Sequence, residues 1–291
     1  MQVSGFTIAR NAVRYDYPLR ESILSILPLV DEMVVAVGDS DDGTLELVQS
    51  IDSQKLHIIQ TVWDAALRDG GRVLAQQTNL ALEACQGDWC FYLQADEVIH
   101  ENDLDRISAS LRRHDQRYRI DGLSFRYHHF RADYGLRDPL PYRRQTRIVR
   151  ARRGIRSVGD ACGFGVQGRK LVTAHTGAWV YHYGYVKPPK TMAAKMDFFL
   201  SLYDGRDVSV GMELQAEDYD WDLRTCERFT QTHPDVMADR IAAKDWPTPH
   251  VITLPRWRNR RFWAGLIYKN SRTIRRLLSR AGSVLGSHSA A

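Results

Sequence analysis

The sequence predicts an α/β fold: a mostly parallel, Rossmann-like sheet flanked by helices and followed by a basic helical C-terminal extension. Three observations carry this. Short apolar, β-branched runs alternate with amphipathic stretches through the first hundred residues. The connections between them are rich in Asp and Gly. The run Trp89-Cys90-Phe91-Tyr92-Leu93 is apolar without alternation, as a strand buried on both faces requires.

Val3 to Ala9 reads as the first strand. A helix follows, with Leu19, Ile23, Ile26, Leu27 and Val30 at spacings of three and four, and Pro28 ends or kinks it. Glu32 to Gly38 is a β-branched strand, and the turn after it places Asp42 or Thr44 to cap a helix through Leu45–Ile51. Lys55 to Gln60 is a third strand. The helix after it carries Val73, Gln77, Leu80 and Ala84 on one side, and Asp88 to Leu93 is the fourth strand. In such a sheet, ligands bind beyond the carboxyl ends of the strands. Those ends bring together Ala9-Arg10-Asn11, Gly38 to Asp41, Gln60 to Trp63, and Gln94-Ala95-Asp96-Glu97.

The middle of the chain is less regular. Gly122–Phe130, Thr146–Ala151, Lys170–Thr173 and Ala178–Val186 read as strands, separated by loops at 133–145 and 159–168, and Pro189–Tyr203 reads as a helix. The predicted organisation is one domain over residues 1–230, divided near residue 101 into two halves. An extension over 231–291 contains a basic amphipathic segment at 256–280.

The chain has 291 residues, 44% hydrophobic and 26% charged, which is ample for a globular core. No apolar stretch is long enough to span a bilayer, and Met1–Ala12 lacks the features of a signal peptide, so a cytoplasmic location is expected. The four cysteines have no zinc-like spacing and read as reduced packing thiols, a redox pair Cys85/Cys90 being the alternative. Net charge is +5 but uneven. Residues 112–156 carry +10 and residues 256–280 carry +9, leaving the rest at −14. Such asymmetry points to surfaces that meet anions.

The ordered set SGFTIARNA, VDEMVVAVGDSDDGT and QTNLALEACQGDWCFYLQADE resembles the nucleotide-sugar domain of family 2 glycosyltransferases with the GT-A fold. The resemblance covers residues 1–101 and extends more loosely to Lys187 through VGDACGF and VYHYGYVK. It implies that 1–230 is a catalytic domain with a nucleotide-sugar half to about residue 101 and an acceptor half over 102–230, and a transfer of sugar from a nucleotide-sugar donor, with Mn²⁺ or Mg²⁺ neutralising the departing diphosphate. The family's Asp-x-Asp stands here as Gln94-Ala95-Asp96, so Asp96 matches the metal-binding carboxylate, with Glu97 as a helper. Helix capping by Asp96 is the bland alternative. His182 matches the downstream His that completes the metal site, and Lys187 is placed to meet the diphosphate. His128 and His129 lack such context and are read as structural. For the donor, the resemblance assigns Arg10 and Asn11 along the nucleoside, Asp39 and then Asp41 to the base, Arg72 to the diphosphate, and Gln94 beside the ribose or metal. Asp160 matches the general base of an inverting transfer, with Glu213 and Glu217 as alternatives and a simple Asx-turn as the bland reading.

The 256–280 segment has Trp263, Leu266, Ile267, Ile274 and Leu277 on one side and Arg or Lys around it. That pattern suits a helix lying on an anionic membrane surface, with packing on the protein's own acidic body as the alternative. The expected partners are a nucleotide-sugar donor, a glycan or lipid-linked acceptor of the cell envelope and the inner face of the membrane, and no nucleic acid. A nucleotidyltransferase would call for a Gly-rich phosphate loop after the first strand, where Arg10-Asn11-Ala12 stands instead. A non-catalytic basic binding module would not need Asp96.

Overall fold

The structure, a computed structural model, describes residues 1–67, 69–203, 223 and 226–248. The first third follows the predicted order: β1 (Val3–Ala9), α1 (Leu19–Ile26), β2 (Glu32–Gly38), α2 (Thr44–Gln49), β3 (Leu56–Thr61), α3 (Arg72–Ala84) and β4 (Trp89–Tyr92). β1 lies between β2 and β4, with β3 outside β2, and all of these pairings are parallel. β1, β2 and β4 are buried on both faces, while β3, at the edge, is only partly covered. Met33, Val35 and Val37 of β2 pack with Leu19, Ile23 and Ile26 of α1, while Val34 and Ala36 pack with Val73 and Ala81 of α3. Trp89 and Phe91 likewise face one core and Cys90 and Tyr92 the other. That is why the β4 run shows no alternation.

The second half adds β5 (Glu97–Ile99), α4 (Leu104–Asp115), β6 (Gly122–Arg131), β7 (Asp133–Asp138) and β8 (Arg144–Arg150). A hairpin of β9 (Ile155–Val158) and β10 (Gly163–Val166) follows, then β11 (Thr173–Tyr185), α5 (Pro189–Ser201), β12 (Glu227–Arg228) and α6 (Ala238–Ala242). The sheet runs β12-β7-β6-β8-β4-β1-β2-β3, with β11 against β5 and β6. β8 is antiparallel to both β4 and β6, so the sheet is parallel in its first half and mixed beyond β4.

Several elements differ from the sequence reading. The first helix ends at Ile26 and tightens into a 3₁₀ turn at Leu27–Leu29, with Pro28 in that turn. The strand read at 178–186 is the second half of a longer β11 that begins at Thr173, so Lys170–Val172 of the other predicted strand lie outside it, and the register shift between His175 and Trp179 contains Gly177 at φ +81. The loops at 133–145 and 159–168 contain β7 and the far arm of the β9–β10 hairpin. β5 begins at Glu97, directly after Asp96, so Asp96 caps no helix, and the next helical turn is capped by His100, which accepts from the Asn102 N–H.

Residues 231–248, assigned by the sequence to the extension, pack on the body. Met237 joins Val98, Phe130 and Tyr183 in a buried cluster, and Arg240 pairs with Asp16 and Glu21. The basic segment 256–280, Glu213 and Glu217 lie outside the described residues. Among the described residues no helix is long and apolar enough to cross a membrane. All four cysteines are free thiols.

Candidate donor and metal site

A cavity of about 410 Å³ opens over the carboxyl ends of β1 and β4. It is lined by Ala9 and Arg10 from β1, Gln94, Ala95 and Asp96 after β4, Asp160 to Cys162 from the hairpin turn, His182 and Tyr185 from β11, and Lys195 and Phe198 from α5. Arg10, Gln94, Asp96, Asp160 and His182, scattered in sequence, therefore share one space.

The order of the polar groups in it follows from their protons. His129 Nε2 lies 2.9 Å from the Tyr142 carbonyl, which only accepts, so Nε2 carries the hydrogen. Burial lowers the His129 pKa to about 4, leaving the ring neutral with a bare Nδ1. The His182 Nδ1 is 3.2 Å from that bare nitrogen and must donate to it. Burial lowers His182 to about 3, so its Nε2 is bare in turn. That nitrogen faces Asp96 Oδ1 at 3.7 Å. Burial alone would raise the Asp96 pKa, but Lys195, His182 and Lys187 bring it down to about 2 and the carboxylate is ionised. Two acceptors thus face each other with no hydrogen between them.

The residues present fit a divalent cation at this point. An imidazole nitrogen and a carboxylate oxygen are compatible ligands, and the His129 hydrogen bond fixes the tautomer a ligand histidine needs. The backbone leaves room: a Cβ on Gly184 would lie 2.5 Å from Asp96 Oδ2 and 2.9 Å from His182 Nε2. Among the described residues no third His, Cys, Asp or Glu completes a cluster. The remaining positions would fall to substrate oxygens and water, the sparse protein ligation Mg²⁺ commonly uses, with Gln94 lining the same cavity.

Lys195 was not singled out from sequence. Its ammonium is buried, 3.3 Å from Asp96 Oδ2 and 2.7 Å from the Gly184 carbonyl, with the rings of Tyr17 and Tyr185 at 4.7 and 5.3 Å. A signal was present: Lys195 interrupts the helical apolar stripe Met192, Met196, Phe199 and is buried with Met192. His129, read as structural, also reaches the cavity and orients His182.

Two assigned residues are committed within the core instead. Glu97 is fully buried in a bidentate pair with Arg147, at 2.7 Å through both oxygens, and also accepts from Tyr127 Oη and the Gln94 N–H. Its lone pairs are committed, so it is no metal ligand. The same guanidinium donates to the Cys162 carbonyl at 3.1 Å, tying the Asp96 loop to the Asp160 turn. Lys187 is fully buried and donates to the Tyr15 and Asp16 carbonyls at 2.9 Å each, so it braces that turn and does not line the cavity.

The others divide by position. Asp160 forms the Asx-turn, its Oδ1 accepting from the Cys162 N–H at 3.2 Å, and it also faces the cavity, where Oδ2 accepts from Tyr203 Oη. Ala161, at φ +59, holds the turn in a strained conformation. Asp39 pairs with Arg10 at 3.0 Å and accepts from the Trp63 N–H, and Arg10 lies over the Trp63 ring at 5.5 Å. Asp39 therefore organises the rim around Arg10 and Trp63. Asp41 is an exposed partner of Arg14, Arg72 is exposed at the start of α3, and Asn11 is a buried turn residue at φ +52, and none of them lines the cavity.

A family model described as glycosyl transferase family 2 matches residues 8–172, more than half of the chain. Among solved structures the chain is similar to S. aureus TarS, at 17% identity with a TM-score of 0.43, covering 68% of this chain and 39% of that one. It is also similar to TarS 1-349 in complex with UDP, at 18% identity and TM-score 0.43, covering 69% and 65%. The corresponding values for TarS 1-349 in complex with UDP-GlcNAc are 15% and 0.43, covering 69% and 66%. The chain thus spans less than two thirds of each of these chains. No curated protein matches it.

Proposed function

The chain belongs to glycosyl transferase family 2, and on that premise we propose that it transfers a sugar from a nucleotide-sugar donor to a cell-envelope glycan or lipid-linked acceptor, inverting the anomeric carbon. The observation that carries the site assignment is the pair of bare acceptors, Asp96 Oδ1 and His182 Nε2, inside a cavity that also holds Asp160 and Gln94.

Asp96 and His182 would hold Mn²⁺ or Mg²⁺, with Gln94 nearby. Bound there, the ion supplies charge neutralisation for the departing diphosphate. Lys195 adds a fixed positive charge at the same carboxylate. The wall of Arg10, Trp63 and Phe198 takes the nucleoside, with Asp39 holding Arg10 and Trp63 in place. Asp160 accepts the proton of the acceptor hydroxyl as its oxygen bonds to the anomeric carbon and the bond from that carbon to the donor phosphate breaks. Apolar walls from Phe198, Phe199 and Leu202 limit water at that carbon.

The test is hydrolysis or transfer from a panel of nucleotide sugars, with and without added metal. Wild type is expected to turn over one donor. Asp96→Asn should lose about a hundredfold or more, and Asp160→Asn about the same, with donor binding retained only in the latter. Full activity in Asp96→Asn would sink the site assignment. In the same reading, the basic segment 256–280 holds the enzyme on the cytoplasmic face of an anionic membrane. Co-sedimentation with phosphatidylglycerol vesicles should fall when the chain stops at Pro255, and unchanged sedimentation would exclude that role.

A further inference from the structure

Beside the donor cavity lies a second hollow of about 340 Å³, and the two share His129, Pro141 and Tyr142 as a common wall. It belongs to the acceptor half, between β6, β7 and the start of β8. Four arginines line it, Arg126, Arg137, Arg143 and Arg144, against one carboxylate, Asp138.

That carboxylate is already committed. Asp138 pairs with Arg131 at 2.9 Å and accepts from the Leu140 N–H. Arg137 has its own partner in Glu227 at 2.8 Å. Among the described residues, no ion pair joins a carboxylate to Arg126, Arg143 or Arg144. Two of the three are nonetheless held in place, and by neutral groups. Arg126 lies over the Trp179 ring at 5.4 Å. Arg144 donates to His175 Nε2 at 2.9 Å. A guanidinium cannot accept, so that nitrogen is bare and His175 donates through Nδ1 to Ser124 Oγ at 2.6 Å. The Ser124 hydroxyl passes its own hydrogen to the Ala174 carbonyl. Among the described residues, the guanidiniums of Arg126 and Arg144 are thus oriented without being neutralised.

Solvent screens the mutual repulsion of such a cluster, so it costs the fold little. Its use lies in what it matches: the planar fork of arginine fits phosphate oxygens two at a time. We propose that this hollow binds a phosphate carried by the acceptor, a phosphodiester or a pyrophosphate, while the acceptor's hydroxyl reaches past Tyr142 into the donor cavity. The proposal rests on the transfer reading above for the word acceptor. The anion site itself stands on the arginines alone.

The experiment uses the full chain and two probes in titration calorimetry, a glycerol-phosphate tetramer and geranyl pyrophosphate, the second below its micelle concentration. At least one should bind wild type, and which one does separates a phosphodiester chain from a lipid pyrophosphate. Arg126→Ala/Arg143→Ala/Arg144→Ala should weaken that binding about tenfold or more, with the melting temperature close to wild type because all three side chains are exposed. Should the triple variant not fold, Arg143→Glu alone reads the same loss. Failure of both probes to bind wild type, or binding indifferent to the substitutions, overturns the proposal. Wild-type donor hydrolysis is measured alongside. Hydrolysis with arginine-independent binding rejects this site and leaves the transfer reading intact. Arginine-dependent binding without any donor hydrolysis does the reverse.

Discussion

At Glu97 a charged residue that looks like part of the chemistry is part of the scaffold. Asp96 and Glu97 are adjacent and both follow a buried strand, so sequence alone does not separate their roles. What separates them is the period of two in β5 and its approach. Glu97 faces Arg147, and both side chains are wholly buried. Removing one member of such a pair leaves an uncompensated buried charge, at a cost of about 3–5 kcal/mol. Glu97→Gln should therefore lower stability by about 3 kcal/mol in urea unfolding. Glu97→Leu/Arg147→Met should recover much of that loss. A double variant as unstable as the sum of its singles would show that the ion pair is not the coupled unit described here. Lys187 teaches the same lesson, a lysine legible by motif spacing whose ammonium is consumed by two backbone carbonyls. Arg10, Gln94 and Asp96 were legible as cavity residues because strand ends point there whatever their neighbours do, whereas His182, inside β11, and Asp160, in the hairpin turn, were reached only through the family resemblance.

Elements read best where burial is symmetrical. The first four strands and their three helices were evident because unbroken apolar runs and three-four spacing are each tied to one structure. The stretch after β4 was harder. β7 has the sequence Asp-Tyr-Gly-Leu-Arg-Asp, whose alternation is strand-like but whose ends are turn residues. β10, Gly-Phe-Gly-Val, is only partly buried and has two glycines. Pairing across the hairpin with β9 makes it a strand, and that pairing is a tertiary fact. The arginine-rich stretch shows the same limit. Arg150 caps α4 by donating to the His114 and Asp115 carbonyls, Arg147 is a core ion pair, and Arg126 and Arg144 line a hollow. Their charge was visible in the sequence, but their separate uses depend on which face of which strand carries them.

Across the whole molecule, burial of imidazoles sets the response to acid. His128 and His182 are lowered to about 3, and His129 and His233 to about 4, with burial the leading cause in each. In the unfolded chain these rings take up protons near 6.5. The unfolded state therefore binds more protons than the folded one from about pH 6.5 down to about pH 4, and stability falls as pH falls through that window. Asp96, lowered to about 2, adds a further loss in the same direction below about pH 4. The melting temperature at about pH 5 is expected to lie at least about 5 °C below that at about pH 7.5. A flat profile across that range would mean the imidazoles are hydrated and the buried relay is not formed.

The contact between Lys195 and Asp96 bears on how the enzyme idles. The Asp96 carboxylate does not stand as a naked charge in the free protein, because the Lys195 ammonium is at hand. On the proposed reading Lys195 would be a built-in rival to any divalent ion at that carboxylate, so Asp96 and His182 alone would hold such an ion only loosely.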